Sequence, residues 1–146
     1  MYFKFLVCKS VAIPSFFLCM KKYLVLLFGV MFFFGCKAQN SVKVLTAEEF
    51  AAAVKADKKA VVLDVRRPDE FAAGHIEGAV LLNFLDTVAF NAGVEKLDKS
   101  KTYYIYCRSG RRSNNAAVIL QKKGFTVFDL GGGFLSWQRY NLPWVK

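Results

Sequence analysis

Four short, unbroken apolar runs recur along the chain after residue 41. The runs are Val61-Val62-Leu63, Val80-Leu81-Leu82, Tyr103 to Tyr106 and Thr126-Val127-Phe128, and Val42 to Leu45 is a candidate edge strand. Runs of this length are typical of strands that are covered on both faces of a sheet. Helical stretches separate them, so we expect an α/β fold: an open, mainly parallel sheet flanked by helices on both faces.

Two of the helical stretches carry clear sequence signals. Thr46 and Glu49 have the spacing of a capping box, which predicts a helix that begins there. A second helix is predicted from Ser113 to Lys123, with lysines in its last turn and a glycine as its stop. In open parallel sheets, ligands bind beyond the carboxyl ends of the strands. The residue that follows the third apolar run is Cys107.

The segment before residue 37 has the composition of an export signal. Met20 is followed by Lys21-Lys22, a largely apolar run and then Gly35-Cys36. A charged start, a short apolar stretch and a small residue at the cut are typical of a secretory signal. The run is shorter than the ~20 residues that a transmembrane helix needs. A small residue directly before cysteine is similar to the lipobox of bacterial lipoproteins, which implies that Cys36 is lipidated.

These features divide the chain into three parts. Residues 1–36 are predicted to be a leader, whose true start is either Met1 or Met20, residues 37–41 a tether, and residues 42–146 the folded domain. A lipidated Cys36 places the domain at a membrane of the bacterial cell envelope, on the periplasm-facing side. An uncleaved N-terminal anchor is the alternative, and it also delivers the domain outside the cytoplasm.

The formal net charge of +10 includes four leader lysines, so the rest of the chain carries about +6. A basic surface can attract anions, nucleic acid among them. No RNA- or DNA-binding signature accompanies the charge, so we interpret it as a solvated surface and expect no nucleic-acid partner.

The four cysteines are Cys8, Cys19, Cys36 and Cys107. Their spacing matches neither a zinc site nor a dense disulfide framework, and we predict no metal. Only Cys107 lies in the predicted domain. A lone thiol in an exported protein requires a chemical explanation.

The segment that begins at Cys107 is predicted to be a tight loop between a strand and a helix. Gly110 permits a backbone conformation that a side chain would resist. Such a loop can aim several N–H groups at one point, where the helix dipole also favours an anion. A cysteine in this setting has its pKa lowered from about 8.5 to roughly 3.5–7.5. The alternative is that Cys107 is a small buried hydrophobic residue.

Cys107 is therefore the candidate nucleophile, and the rest of the loop is the candidate substrate-binding site. The loop residues are Arg108, Ser109, Gly110, Arg111, Arg112 and Ser113. Its arginines add positive charge that can hold an anionic substrate. Asp64 and Arg66 end the first apolar run near the expected site, and we interpret them as supporting residues that brace its loops.

From residue 41 to residue 146 the chain resembles the rhodanese family of sulfurtransferases. Three blocks carry the resemblance: Leu63-Asp64-Val65-Arg66 with Glu70-Phe71, Gly74 to Ala79 and Asn83; the loop from Cys107 to Ser113; and Leu130 to Gly133 with Trp137 and Leu142-Pro143. Each block alone is a modest signal, whereas the set in this order and spacing is specific.

The resemblance implies covalent catalysis by a thiolate. Cys107 would take a sulfur atom from a small anionic donor, thiosulfate or a polysulfide, and pass it from a persulfide to cyanide or a thiol, with no cofactor. A sulfur-carrier or sulfide-binding module that hands sulfur to a protein partner is the alternative, and an inactive interaction domain is a third reading. A protein partner and the oligomeric state are not predicted.

Two departures from related patterns bear on the substrate. Tyrosine phosphatases share a cysteine loop, but they carry arginine at the position of Ser113 and usually histidine at that of Tyr106, so the shorter loop here favours sulfur. Glu70 stands near the place where some two-domain rhodaneses have a substrate-binding arginine. Recognition of the donor must then rest on the loop arginines or on Arg66.

Three features near the site are predicted to be structural. His75 is the only histidine, yet the chemistry implied above requires none, so we expect it to make a structural hydrogen bond. Trp137 is expected in the core. The run from Gly131 to Gly133 matches no nucleotide-binding fingerprint and is predicted to be a turn passing close beneath the loop.

Overall fold

The computed structural model describes residues 41–146. The predicted leader, most of the tether and the proposed lipidation of Cys36 lie outside the described residues. Within residues 41–146, no helix is both long enough and apolar enough to cross a membrane.

Strands and helices alternate along the described part of the chain. The strands are β1 (Lys43–Leu45), β2 (Ala60–Asp64), β3 (Val80–Leu81), β4 (Thr102–Tyr106) and β5 (Thr126–Leu130). The helices are α1 (Ala47–Ala56), α2 (Pro68–Ala73), α3 (Thr87–Val94), α4 (Arg111–Lys122) and α5 (Gly133–Arg139).

The five strands form one parallel sheet in the order β1-β5-β4-β2-β3. A core on one face packs α3 and α4 against the sheet, through residues such as Phe90 and Leu120. The core on the other face packs α1 and α5, through Phe50 and Trp137. The predicted α/β architecture is confirmed. Because all strands run the same way, β2, β4 and β5 end at the same edge, and β4 lies in the middle of the sheet.

The two predicted helices are present, with one shifted start. Thr46 and Glu49 form the capping box of α1, with each side chain accepting a hydrogen bond from the other residue's backbone N–H. The helix predicted from Ser113 begins two residues earlier, at Arg111. Gly110, with φ of +98°, supplies the left-handed turn that allows this early start.

The second apolar run is less buried than predicted. β3 contains only two residues and lies at the edge of the sheet, and Val80 is 53% exposed. An unbroken apolar run does not reveal how many neighbours a strand has. The prediction that this strand is covered on both faces is therefore wrong.

Candidate functional site

Cys107 follows β4 directly and lies at the base of the loop that leads into α4. Its residue is 1% exposed. The backbone N–H of Gly110 donates a hydrogen bond to Sγ at 3.1 Å, and the Ser113 hydroxyl lies 3.6 Å from the same atom. The N–H groups of Ser109 and Ser113 also interact with the sulfur. Donors therefore converge on one sulfur atom at the end of the central strand.

These donors decide the protonation of the thiol. Burial is the largest single effect on Cys107 and opposes ionisation. Hydrogen bonds from Ser113, Ser109 and Gly110 together outweigh burial, so the pKa of the Cys107 thiol is lowered below its ordinary value. A lowered pKa gives a larger thiolate fraction at neutral pH, and the thiolate is the nucleophilic form of cysteine.

Arg112 forms a bidentate ion pair with Glu70 of α2. Its Nη1 lies 2.7 Å from Oε2, and its Nη2 lies 2.9 Å from Oε1. Hydrogen bonding to Arg112 is the main reason that the pKa of Glu70 falls to about 2. Glu70 and, to a smaller degree, the sulfur of Cys107 raise the pKa of Arg112. Arg112 thus connects α2 to the sulfur, and much of its charge is neutralised by Glu70.

The other two loop arginines, Arg108 and Arg111, are exposed. Neither forms an ion pair with another residue of the described range. They are therefore available to an anion in solution. Arg108 also lines a cleft of about 240 Å³ beside the loop. The cleft is walled by Phe134, Leu135 and Gln138 of α5 and by residues from the α2 side that include Glu70.

Asp64 and Arg66 form a buried ion pair at the end of β2. Arg66 Nη2 lies 2.6 Å from Asp64 Oδ2, and the two side chains are 4% and 0% exposed. The same nitrogen donates to the carbonyl of Gly74 at 2.7 Å, and the guanidinium stacks over the Phe134 ring at 4.4 Å. Its Nε and Nη2 donate to protein groups, and the residue also forms part of the wall of the cleft that Arg108 lines. The buried pair with Asp64 fits the predicted bracing role.

The glycine run packs against the back of the loop, as the sequence predicted. A Cβ atom on Gly133 would lie 2.5 Å from the carbonyl oxygen of Cys107. Two N–H groups of the first turn of α5 bond the loop: Phe134 donates to the carbonyl of Cys107 at 2.8 Å and Leu135 to that of Arg108 at 3.1 Å. The close approach requires glycine, and it fixes the loop from behind.

His75 and Trp137 have structural positions. His75 Nδ1 lies 3.1 Å from the carbonyl of Phe71, its ring stacks on the Phe71 ring, and its backbone pairs with Val145. Trp137 is 4% exposed and donates from Nε1 to the carbonyl of Pro143. Across residues 41–146, no cluster of three or more His, Cys, Asp or Glu side chains could hold a metal ion.

Sequence reasoning missed two residues of the site. In the sequence, Glu70 stands out only as a departure from a family pattern, and its pairing with Arg112 spans 42 positions, which no local signal reveals. Asp129 in β5 is 2% exposed and lies against the start of α4. A carboxylate in an otherwise apolar strand was the available signal.

The central parallel strand is followed directly by a cysteine, and the amide groups of the next loop converge on its sulfur. These features define an α/β protein with a thiolate-centred anion site. Comparison with known proteins gives the family. The rhodanese-like domain model matches residues 46–140, and the chain belongs to that family.

Individual relatives agree with this assignment. A sulfurtransferase of Allochromatium vinosum is 37% identical over 92 residues, which is 62% of this chain and 83% of that protein. The uncharacterized Bacillus subtilis protein YqhL is 38% identical over 100 residues, or 68% of this chain and 75% of the relative. Among solved structures, a rhodanese-related protein of Thermoplasma volcanium matches with a TM-score of 0.64 and 27% identity, covering 70% of this chain and 97% of that one.

Proposed function

We propose that this protein transfers sulfane sulfur from thiosulfate or a polysulfide to cyanide or a thiol through a persulfide on Cys107. The observation that carries the proposal is the convergence of backbone N–H groups on Sγ, with Gly110 at 3.1 Å. The same donors that stabilise the thiolate can hold the negative charge of a persulfide. They would act as a preorganised anion hole.

The reaction divides into two displacements at sulfur. In the first, the Cys107 thiolate attacks the outer sulfur of thiosulfate, the S–S bond of the donor breaks, and sulfite leaves with the bonding electron pair. In the second, cyanide or an acceptor thiolate attacks the outer sulfur of the persulfide, and the Cys107 thiolate leaves. The products of the second step are thiocyanate or a new persulfide. The first step leaves Cys107 as a persulfide and the second returns it to the thiolate, so the complete cycle requires no external oxidant or reductant.

The loop arginines divide the task of binding the donor. Arg108 and Arg111 are exposed and unpaired among the described residues, so they would attract an anionic donor. Arg112 faces the sulfur while Glu70 holds it in place. The cleft beside Arg108, with Leu135 on its wall, offers the acceptor thiol a partly apolar place to bind.

Intact-mass measurement tests the first step directly. We expect the protein to gain the mass of one sulfur atom on incubation with thiosulfate or polysulfide, and to lose it on addition of cyanide. Cys107→Ser should gain none. Failure of the unsubstituted protein to gain sulfur from either donor would contradict the proposal.

The near-complete burial of Cys107 favours a second candidate, a sulfur carrier that reacts slowly with small molecules and delivers to a protein. Steady-state turnover with thiosulfate and cyanide separates the two. An enzyme gives many turnovers per Cys107, whereas a carrier loads once and then stalls.

We also propose that the domain is held at a bacterial envelope membrane by lipid on Cys36, facing the periplasm. The charged start, the short apolar run and Gly35-Cys36 support this proposal. Labelling of cells with a fatty-acid analogue should mark the wild type but not Cys36→Ala. Equal labelling of the two would remove the lipid anchor.

A further inference from the structure

Asp129 is a buried carboxyl group that the sulfur-transfer chemistry does not use. It is 2% exposed, and its Oδ1 has no hydrogen-bond partner within residues 41–146. Its neighbours on the adjacent strands, Ile105 of β4 and Val44 of β1, are apolar. Burial of a polar oxygen without a partner is costly, so its presence beside the loop calls for a functional account.

The sheet register places Asp129 close to Cys107. Asp129 of β5 pairs with Ile105 of β4. Cys107 lies two residues after Ile105, and the chain continues there in the direction of β4. Side chains two positions apart point to the same face, and Cys107, Ile105 and Val127 share the core on the α4 side. With strands ~4.8 Å apart and a rise of ~3.3 Å per residue, the Cα atoms of Asp129 and Cys107 lie about 8 Å apart.

Ser113 connects the two groups. Its hydroxyl carries one hydrogen but has several acceptors within reach: the Gly110 carbonyl at 3.1 Å, the sulfur of Cys107 at 3.6 Å, and the carboxyl group of Asp129, which it faces together with Asn114. An ionised Asp129 competes for that hydrogen. A neutral carboxylic acid can instead donate its own proton to the Ser113 oxygen, which leaves the hydroxyl hydrogen for the sulfur.

We propose that Asp129 is a positioning residue that sets, by its charge and through the Ser113 hydroxyl, how strongly the loop holds negative charge on the sulfur of Cys107. When Asp129 is ionised, the hold on a thiolate or persulfide is weaker, because a like charge lies behind the loop and the hydroxyl is drawn away. When Asp129 is neutral, the hold is stronger. The inference rests on the proposed function only in taking the anionic sulfur of Cys107 as the working group.

The surroundings of Asp129 put this change near neutral pH. Burial raises the pKa of Asp129 to about 6, and the nearby polar side chains of Ser113 and Asn114 oppose this effect only in part. The two polar groups that face it from α4 are uncharged. Arg112, on the same turn of α4, directs its guanidinium to Glu70. On its own sheet face, the ionisable side chains that follow from the neighbouring strand β4 are Cys107 and Tyr103, and burial raises the pKa of Tyr103 further above neutral pH.

The size of the effect follows from the separation. When the Cα separation of about 8 Å is taken as the distance between the two charges, each charge shifts the titration of the other by roughly 0.4 to 1.5 pH units, for effective dielectric constants between ~80 and ~20. Asp129→Asn keeps the shape and removes the charge. We therefore expect the titration midpoint of Cys107 to fall by at least this through-space amount, with the contribution through Ser113 added to it.

The rate of alkylation of Cys107 by iodoacetamide, measured from about pH 5 to about pH 9, gives this midpoint without any sulfur donor. Asp98→Asn is the matched control, because Asp98 precedes the start of β4 and so lies at the opposite edge of the sheet. It should leave the midpoint unchanged. Thermal melting of each variant records separately any structural role of the carboxyl group.

Ser113→Ala provides the second variant. It should raise the Cys107 midpoint, because a donor to the sulfur is lost, and it should reduce the shift caused by Asp129→Asn to the through-space contribution. An unchanged or raised midpoint in Asp129→Asn overturns the proposal, even if the melting temperature changes. Because alkylation requires no sulfur transfer, this result is independent of whether thiosulfate proves to be a donor.

Discussion

The Glu70–Arg112 ion pair makes a quantitative prediction about stability and pH. The pKa of Glu70 falls from its ordinary value of 4.5 to about 2, with hydrogen bonding to Arg112 as the main cause. This lowering corresponds to about 3 kcal/mol of stability at pH 7. The Glu70 and Arg112 side chains are 16% and 21% exposed, so solvent screening is limited, and we take this figure as an upper bound.

The sign of the pH dependence follows from the direction of the shift. Because the folded-state pKa of Glu70 lies below the unfolded value, the unfolded state binds the proton first as pH falls. The stabilisation is complete above about pH 4.5 and is lost as pH approaches about 2. At pH 3 the stabilisation should have fallen to less than half of its value at pH 7.

Glu70→Gln removes the charge while retaining the length of the side chain. Urea denaturation followed by tryptophan fluorescence should show a deficit of about 2–3 kcal/mol at pH 7, and less than half of that deficit at about pH 3. Glu95→Gln is the control, because it removes a carboxylate that pairs with Lys123 on the exposed surface, where ion pairs contribute little. An equal deficit for Glu70→Gln at both pH values would refute the electrostatic reasoning.

Two further substitutions test the support behind and beside the loop. Gly133→Ala should destabilise the protein by more than about 2 kcal/mol and slow alkylation of Cys107, because the new Cβ would lie 2.5 Å from the Cys107 carbonyl oxygen. The control is Gly124→Ala, which has a similar positive φ but open space around it and should show only backbone strain. Equal losses of stability in the two variants would contradict the close-contact argument. Asp64→Asn should cost about 3–5 kcal/mol in denaturant unfolding, because it leaves the guanidinium of Arg66 buried without a counter-charge; a loss below about 1 kcal/mol would show that the pair is not a brace.

Local signals in the sequence were sufficient for most of the fold. The apolar runs and the Thr46 capping box predicted the sheet and α1, since strand burial and helix capping depend on neighbouring residues. The loop that begins at Cys107 was recognisable for the same reason: strand, glycine and helix follow one another directly. Cys107 could be predicted as a site residue because it follows a strand directly, and ligands of open parallel sheets bind beyond the carboxyl ends of the strands.

Other features depend on contacts between distant parts of the chain. The exposure of Val80 depends on strand order, which the apolar run itself does not encode. The pairing of Arg112 with Glu70 was missed because α2 and α4 meet only in the folded protein. The burial of Asp129 beside the loop likewise depends on the neighbours of β5 in the sheet. The charge of a side chain alone does not reveal which of the loop arginines form ion pairs in the folded protein.

The two hydrogen bonds from the first turn of α5 have a consequence for how the sulfur site is tuned. A trans peptide unit points its C=O and its N–H in opposite directions. The carbonyl of Arg108 is tied inward to the N–H of Leu135, so the N–H of Ser109 in the same peptide unit is turned outward, where it helps to stabilise the anion. The hydrogen bond from α5 to the carbonyl of Arg108 therefore fixes the direction of the Ser109 N–H. A substitution in the first turn of α5 that weakens this bond is expected to alter the reactivity of the Cys107 thiol, although the substituted residue contacts no substrate.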